Sequence, residues 1–194
     1  MIVFLSKIEF VDFSKNLLRD ISSRYKQHQF VMSAFPDNMN KGDDRIMFRH
    51  EGKTILVQSH IKPDWEKTNA KYGYIKKFAV KEFEPNFANG NSLKFRLIAN
   101  PTISKNGKRI PVYKYEDLMS WMVRKSKNGG FKLTSLTVGQ NINVKKREKS
   151  MTHSVVEFDG TLIVTDSDMF YNSIAKGIGR AKAFGCGLLS VARV

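Results

Sequence analysis

The chain has 194 residues, 41% of them hydrophobic, which is enough for the core of one large domain or of two small ones. Lysine and arginine number 33 against 18 acidic residues, and the resulting net charge of +15 favours a polyanionic partner over the alternative, a basic surface that serves only solubility. No apolar run approaches the roughly 18 residues of a membrane span, and the single cysteine excludes an intrachain disulfide, so we expect a cytoplasmic protein without a membrane partner.

The first half of the chain predicts the element order β-α-β-β-α-β. Apolar residues of one parity near the N-terminus predict a strand, and Ser14, followed by Ser22 or Ser23, are candidate N-caps of two short helices. The predicted strands are residues 2–10, 45–50, 54–59 and 93–99, with a short helix at 64–72. The rest of residues 63–91 is interpreted as irregular and basic. The order is that of a ferredoxin-like domain.

The second half predicts a related order. A helix with Glu116 early and Lys127 late, ending at Gly129, has charges that complement its dipole. Asp159-Gly160 predicts a tight hairpin between two strands. The predicted strands are residues 131–138, 142–147, 154–158, 162–165 and 188–193, with a short helix at 168–176 and an exposed connection at 102–112. We therefore predict an α+β protein of two tandem ferredoxin-like (RRM-like) domains with antiparallel sheets, residues 1–104 and 105–194.

A glycine-rich loop precedes the last predicted strand. Two Gly-apolar-Gly pairs, at 177–179 and 185–187, flank Arg180 and Lys182. Glycine tolerates positive φ and close backbone approach, and N–H groups in such a turn form an anion site together with the two cations. The spacing is neither that of the dinucleotide-binding fingerprint nor that of a P-loop. A glycine-rich helix end is the structural alternative.

This loop resembles the signature loop of the repeat-processing RNA-binding superfamily of CRISPR systems. The continuation Gly187-Leu188-Leu189-Ser190-Val191-Ala192 narrows the similarity to the CasE family, the endoribonuclease subunit of type I-E Cascade that processes CRISPR RNA. Three more stretches agree: FRLIANP at 95–101, LVQS at 56–59, and Trp121 followed by a basic run that ends at Gly129-Gly130. The resemblance spans nearly the whole chain and likewise implies two tandem ferredoxin-like domains.

The sequence contains no clear pattern for metal or cofactor chemistry. The four histidines lack the i, i+4 spacing of a helical zinc site, and one cysteine cannot build a zinc cluster. Asp166 and Asp168 could bind a metal, but helix capping at Asp168 is the better interpretation. We therefore predict no metal site and no cofactor.

Metal-free RNA cleavage requires that the ribose 2′-OH be oriented and that two protons be moved, and histidine suits this work because its pKa of about 6.5 lies near neutrality. Tyr25 and His28 lie three residues apart and would share a helix face. By spacing alone, a partly buried structural pair is the more common outcome. In CasE-like enzymes a Tyr-x-x-His in the first helical region carries catalysis, so the resemblance implies His28 as general acid or base and Tyr25 as a positioning or proton-exchanging group.

Basic residues elsewhere predict contacts with RNA. Some members of the family that this chain resembles carry basic residues just after the histidine and about one turn later, where this chain has Gln29 and Ser33. Arg24 and Lys26 are therefore the candidates for stabilising transition-state charge or for binding a neighbouring phosphate. The densest basic run, residues 144–149, predicts a basic finger that contacts the phosphates of an RNA hairpin. A solvated loop is the alternative. The predicted RNA-binding residues are Arg24, Lys26, Lys105, Lys108, Arg109, Lys145, Lys146, Arg147, Lys149, Gly177, Gly179, Arg180, Lys182, Gly185 and Gly187.

These observations predict a metal-independent endoribonuclease that binds the stem-loop of CRISPR repeat RNA. The resemblance implies a cut at the 3′ base of the stem, with 2′,3′-cyclic phosphate and 5′-OH ends, and retention of the product beside other Cascade subunits by a chain that is monomeric outside the complex. The alternative is a non-catalytic basic RNA-binding protein of ribonucleoprotein assembly. Only Tyr25, His28 and the resemblance separate the two functions.

Overall fold

The computed structural model describes residues 2–12, 14–39, 45–139, 142–145 and 152–194, with the backbone alone for residues 142–145, 152 and 153. The chain divides into two compact units. The first is Met1–Pro85 with Lys182–Gly185, and the second is Asn86–Ala181 with Cys186–Val194. No helix within the described ranges is long and apolar enough to cross a membrane.

The first unit is built on a four-stranded antiparallel sheet. Its described elements are β1 Val3–Phe10, α1 Lys15–Ile21, α2 Arg24–Met32, β2 Ile46–Glu51, β3 Thr54–Ser59, α3 Trp65–Tyr72 and β4 Ile75–Phe83. The sheet order β2-β3-β1-β4, with every neighbouring pair antiparallel, is that of a ferredoxin-like domain. The predicted fold class is therefore confirmed for this unit.

Side-chain caps start the helices of the first unit at or beside the predicted residues. The Ser14 hydroxyl accepts a hydrogen bond from the N–H of Leu17, and the Ser23 hydroxyl accepts one from the N–H of Lys26. Ser23, and not Ser22, is thus the cap of α2. Residues from α2 and the sheet share one hydrophobic core, which includes Ile8, Phe10, Leu17, Phe30, Val31, Phe48, Ile55 and Trp65. This packing fixes α2, and with it the predicted catalytic pair.

The fourth strand of the first sheet was not predicted. β4 pairs with β1 at the edge of the sheet, and only its first residue, Ile75, is buried, so the strand lacks the alternation that would reveal it. Lys76 and Lys77 lie 3.8 and 3.1 Å from the Glu9 carboxylate of β1. Lysines on an exposed edge strand discourage pairing with other chains, which explains why this strand is so basic.

The second unit is a second ferredoxin-like arrangement with two additions. Its described elements are β5 Ser92–Ala99, β6 Thr102–Lys105, β7 Lys108–Pro111, α4 Tyr115–Lys127, β8 Phe131–Val138, β9 Ile142–Lys145, β10 Thr152–Val164, α5 Ser167–Lys176 and β11 Leu189–Arg193. The sheet order is β11-β5-β10-β8, with β9 paired to β10. The β6–β7 ribbon is inserted between β5 and α4. The predicted α+β class with two antiparallel sheets is confirmed.

The division between the units differs from the predicted boundary after residue 104. β5, predicted as the last strand of the first domain, pairs with β10 and β11 of the second sheet. The compact units therefore meet in sequence at Pro85–Asn86. Alternating apolar residues in β5 predicted a strand correctly, but alternation does not say which strands it pairs with.

The predicted hairpin at Asp159-Gly160 is wrong. Both residues lie inside the continuous strand β10 and pair with β5 on one side and β8 on the other. A Cβ on Gly160 would collide with the carbonyl oxygen of Ser135, so the glycine serves close backbone approach in the sheet. The Asp159 carboxylate is held by Arg96 Nε at 2.7 Å.

Candidate active site

Tyr25 and His28 lie on α2, as the sequence analysis predicted. The buried side of this helix consists of Gln27, Phe30 and Val31. Tyr25 is 52% exposed, and its hydroxyl accepts a hydrogen bond from Gln29 Nε2 at 3.4 Å. A phenol held at the surface by a neighbour on its own helix is accessible to a ligand.

The His28 imidazole is half-buried against an aromatic ring from the far end of the chain. Its ring centroid lies 6.2 Å from that of Phe184, at an interplanar angle of 50°. Burial lowers the pKa of His28 below its ordinary value, because the charged imidazolium loses solvation. The imidazole is therefore neutral over a wider range of pH, and a neutral imidazole can accept a proton.

Phe184 belongs to a short 3₁₀ turn, Lys182–Phe184, that is grouped with the first unit. Arg24 Nη1 donates a 2.6 Å hydrogen bond to the Phe184 carbonyl oxygen. Gly185 has a φ of +74°, and a Cβ there would stand 3.0 Å from Cε2 of the buried Phe48 ring and 3.3 Å from Arg24 Nη1. The turn is thus fastened to the helix that carries His28, and glycine is required where it passes Phe48.

Lys26 is engaged by a carboxylate. Its Nζ lies 2.6 Å from Asp20 Oδ1, and Asp20 also accepts hydrogen bonds from Arg19 Nε at 3.2 Å and from the Tyr74 hydroxyl at 3.1 Å. Burial raises the pKa of Asp20, but the three donors together outweigh this effect, so the pKa lies below the ordinary value. Lys26 therefore ties the end of α1 to α2, a structural role that the sequence did not reveal.

The two positions at which the family resemblance implied cations hold side chains that cannot supply charge. Gln29 bonds to Tyr25, and the Ser33 hydroxyl donates to the Phe30 carbonyl at 2.7 Å and lies 3.0 Å from Thr68 Oγ1. Arg24, one of the nearby cations, acts electrostatically on the half-buried His50 of β2. Burial lowers the pKa of His50, and the positive charge of Arg24 lowers it further. Position 50 was not singled out from the sequence, because only the sheet register brings it near α2.

The glycine-rich loop has the predicted backbone conformation but a different use of its N–H groups. Its four glycines have φ values between +71° and +87°. However, the N–H groups of Gly177, Ile178, Gly185 and Gly187 donate to carbonyl oxygens of the protein, at 3.0, 2.9, 3.3 and 2.7 Å. These four donors are engaged within the protein and do not supply the predicted anion site. The contribution of Arg180 and Lys182 to RNA binding stays a prediction.

The predicted basic cluster of the β6–β7 ribbon is divided between two faces. Lys105 and Lys108 are paired across the strands, and the neighbouring register pair places Arg109 opposite Ser104. Successive side chains of a strand point to opposite faces, so Arg109 lies on the face opposite the two lysines. The turn between them, at 106–107, has φ values of 50° and 71°, which suits a tight hairpin.

The remaining predicted site residues lie largely outside the described residues. Lys145 ends β9, whose backbone pairs with β10, while its side chain is not described. Lys146, Arg147 and Lys149 fall outside the described ranges. The basic finger therefore stays a prediction.

No three His, Cys, Asp or Glu side chains within the described ranges lie together as a metal-binding group would require. In the Asp166/Asp168 pair, Asp166 is the cap of α5, since its carboxylate accepts the N–H of Met169 at 2.8 Å. Capping was the interpretation favoured from the sequence, with Asp168 as the expected cap. The cap lies two residues earlier.

Comparison with known proteins yields a consistent set of similarities. The profile of a family described as CRISPR associated protein matches residues 3–193. The CRISPR-associated endoribonuclease Cse3 of Thermus thermophilus is 29% identical over 212 residues, which cover 98% of this chain and 100% of that protein. The CRISPR system Cascade subunit CasE of Escherichia coli is 29% identical over 187 residues, covering 87% of this chain and 91% of that protein. The solved structure of Thermus thermophilus Cse3 bound to an RNA representing a pre-cleavage complex matches with a TM-score of 0.89 and 29% identity, covering 99% of this chain and 100% of that one.

Proposed function

The chain belongs to the family of CRISPR-associated proteins, and we propose that it is an endoribonuclease that processes CRISPR repeat RNA. Its substrate is the stem-loop of the repeat transcript, which it cuts at the 3′ base of the stem without a metal ion. It keeps its product and works beside other subunits of a Cascade surveillance complex in the cytoplasm. The relatives named as an endoribonuclease and as a Cascade subunit support this proposal.

The observation that carries the proposal is the His28 imidazole on α2, half-buried against Phe184 and next to the exposed Tyr25. In the reaction, the ribose 2′-oxygen attacks the adjacent phosphorus as its proton passes to a base. The P–O5′ bond breaks as the leaving oxygen receives a proton. The products are a 2′,3′-cyclic phosphate and a 5′-OH. His28 transfers one of these protons, and Tyr25 orients the ribose or phosphate or exchanges the other proton.

Arg24 acts in this proposal mainly as a positioning residue. Its hydrogen bond to the Phe184 carbonyl holds the turn that covers His28. Its positive charge also lies on the same helix as the reacting groups, where it stabilises a phosphorane electrostatically. Lys26 is a weaker candidate for that role, since it is paired with Asp20.

The basic finger at 145–149 remains the proposed grip on the RNA hairpin. A-form RNA has a deep and narrow major groove, so such a finger contacts phosphates first and bases second. Lys105 and Lys108, together on one face of the β6–β7 ribbon, offer a second charged surface.

The function is tested by incubating the chain with hairpin RNA of its host's repeat in EDTA. We expect cleavage at a single position at the base of the stem, with a 2′,3′-cyclic phosphate on the upstream fragment and a 5′-OH on the downstream one, both read by mass spectrometry. A random-sequence hairpin of equal length is the control. Tight binding without cleavage would favour the non-catalytic alternative, and cleavage that required added metal would contradict the proposed mechanism.

Replacing Phe184 with alanine is expected to raise the pKa of His28 toward its ordinary value, because the imidazole loses part of its burial. The limb of the pH–rate profile that reports His28 then moves to higher pH. A histidine that must be neutral becomes active only at higher pH, and one that must be protonated stays active to higher pH, so both roles give the same direction. NMR titration of the His28 ring measures the shift directly.

Two variants serve as controls for this experiment. Phe184→Leu keeps an apolar side chain over His28 and should give a nearly unchanged profile. Phe78→Ala removes a ring of the same unit that is 40% exposed, on β4, and should leave the pKa of His28 as it is. An unshifted His28 titration in a folded Phe184→Ala protein would show that the turn does not control the imidazole.

A further inference from the structure

Four cations of the second unit come from three segments that are distant in sequence. Arg109 lies on β7, Arg124 and Lys125 lie in the last turn of α4, and Arg180 lies in the glycine-rich loop. Within the described residues, none of the four forms an ion pair with a carboxylate. Elsewhere in this unit Arg96 has two acidic partners, Glu157 at 3.1 Å and Asp159 at 2.7 Å. The positive charge of these four cations is therefore not neutralised by neighbouring carboxylates, whereas that of Arg96 is.

The buried indole of Trp121 supports two members of this group. Trp121 is 2% exposed and stacks on Phe158, with the ring centroids 5.7 Å apart. Lys125, one helical turn later, places its Nζ 5.7 Å from the centroid of the indole. A Cβ on Gly179 would stand 3.4 Å from the same ring, so the backbone that carries Arg180 passes directly over it. The indole is thus a common support for Lys125 and for the loop.

The conformation of the loop at Arg180 is unusual. Gly179 has a φ of +84°, and Ala181 has a φ of +58°, which is uncommon for a residue with a Cβ. The N–H of Ile178 donates to the Gly187 carbonyl at 2.9 Å and closes the base of the loop. Arg180 is therefore presented by a backbone that is held on both sides.

The cations repel one another in the isolated protein. Burial lowers the pKa of Lys125, and the positive charges of Arg124, Arg109 and Arg180 lower it further. A charged group that is half-buried among like charges costs stability, and a fold that retains such an arrangement is typical of a binding site for the opposite charge.

We propose that Lys125, Arg109 and Arg180, with Arg124 at their edge, form a phosphate-binding site for the RNA backbone. The proposal rests on the proposed function, because it names a contact of the same substrate. Arg109, Arg124 and Arg180 are exposed, so the anion approaches from solvent, as a strand of RNA does. Each guanidinium group can donate two parallel hydrogen bonds to two oxygens of one phosphate. Lys125 adds a compact positive charge over the indole. Arg109, on the face of the ribbon opposite Lys105 and Lys108, is the ribbon's contribution to this site.

The test replaces Lys125 with methionine, which keeps an unbranched side chain over Trp121 and removes the charge. In the His28→Ala background, so that the RNA stays intact, binding of the repeat hairpin should weaken about tenfold at low salt, as for a lost charge-assisted contact. The slope of log K against log salt should fall by somewhat under one unit. Weaker binding with a flatter salt dependence, in a protein that still folds, is the signature of this site.

Lys127→Met is the matched control, since Lys127 lies in the same last turn of α4, is exposed, and is not among the charges that act on Lys125. Arg180→Gln is a second variant at an exposed position, and it should weaken binding like Lys125→Met. If both variants bind as well as Lys127→Met does, the phosphate site is refuted while the endoribonuclease assignment stands. If the parent protein does not bind the hairpin, the proposed function itself fails.

Discussion

Replacing His28 with alanine is expected to slow cleavage of the repeat hairpin by roughly 10²–10⁴-fold, the range typical of a lost general acid or base. The affinity for RNA should change little, because the half-buried imidazole contributes proton transfer more than binding surface. The measurement is single-turnover cleavage under saturating enzyme, with affinity from a separate titration. Tyr25→Phe, which keeps the ring, reports the contribution of the hydroxyl.

Glu66→Ala is the matched control, since Glu66 is an exposed residue of α3 in the same unit and belongs to neither the predicted catalytic pair nor its hydrogen-bond partners. It should cleave within a few-fold of the parent protein. Near-normal cleavage by His28→Ala would remove the catalytic assignment. An equal loss of binding and cleavage would make His28 a contact residue instead.

A hairpin with 2′-deoxyribose at the nucleotide preceding the cut is expected to be bound normally and not cleaved at all. The 2′-oxygen is the nucleophile of the proposed reaction, so its removal leaves no atom to attack the phosphorus. The measurement compares this RNA with one that carries the same substitution one nucleotide further upstream, which should be cut at the ordinary rate. Cleavage of the first RNA, whatever the chemistry of its ends, would exclude the 2′-OH mechanism and would indicate water as the nucleophile.

The helix starts in the first unit illustrate what local sequence can specify. Ser14 and Asp64 cap α1 and α3 within their own first turns, so the information lies within a few residues. The spacing of Tyr25 and His28 is equally local, and it places both on α2. Periodicity predicted β1, β2 and β3 in the same way, but the fourth strand of the ferredoxin-like order was assigned to β5 and not to β4.

The errors arose where a residue's role depends on its neighbours across the sheet. Asp159-Gly160 is a turn signal when taken alone, yet in β10 the glycine accommodates the backbone of Ser135. β4 is an edge strand with one buried residue, so its sequence lacks the alternation of apolar and polar residues that predicts a strand. β5 was recognised as a strand, but its partners β10 and β11 lie far along the chain.

The sequence by itself determined the family resemblance, the basic character and the helix that carries Tyr25 and His28. Only the tertiary structure decided what surrounds His28, because Phe184 and Arg24, whose hydrogen bond spans 160 residues of sequence, contact each other through folding alone. The same holds for the cations that act on Lys125, which come from three separate segments of the chain. Periodicity and capping act within a turn or two of chain, whereas burial, pKa shifts and charge clusters depend on distances in space that no local pattern encodes.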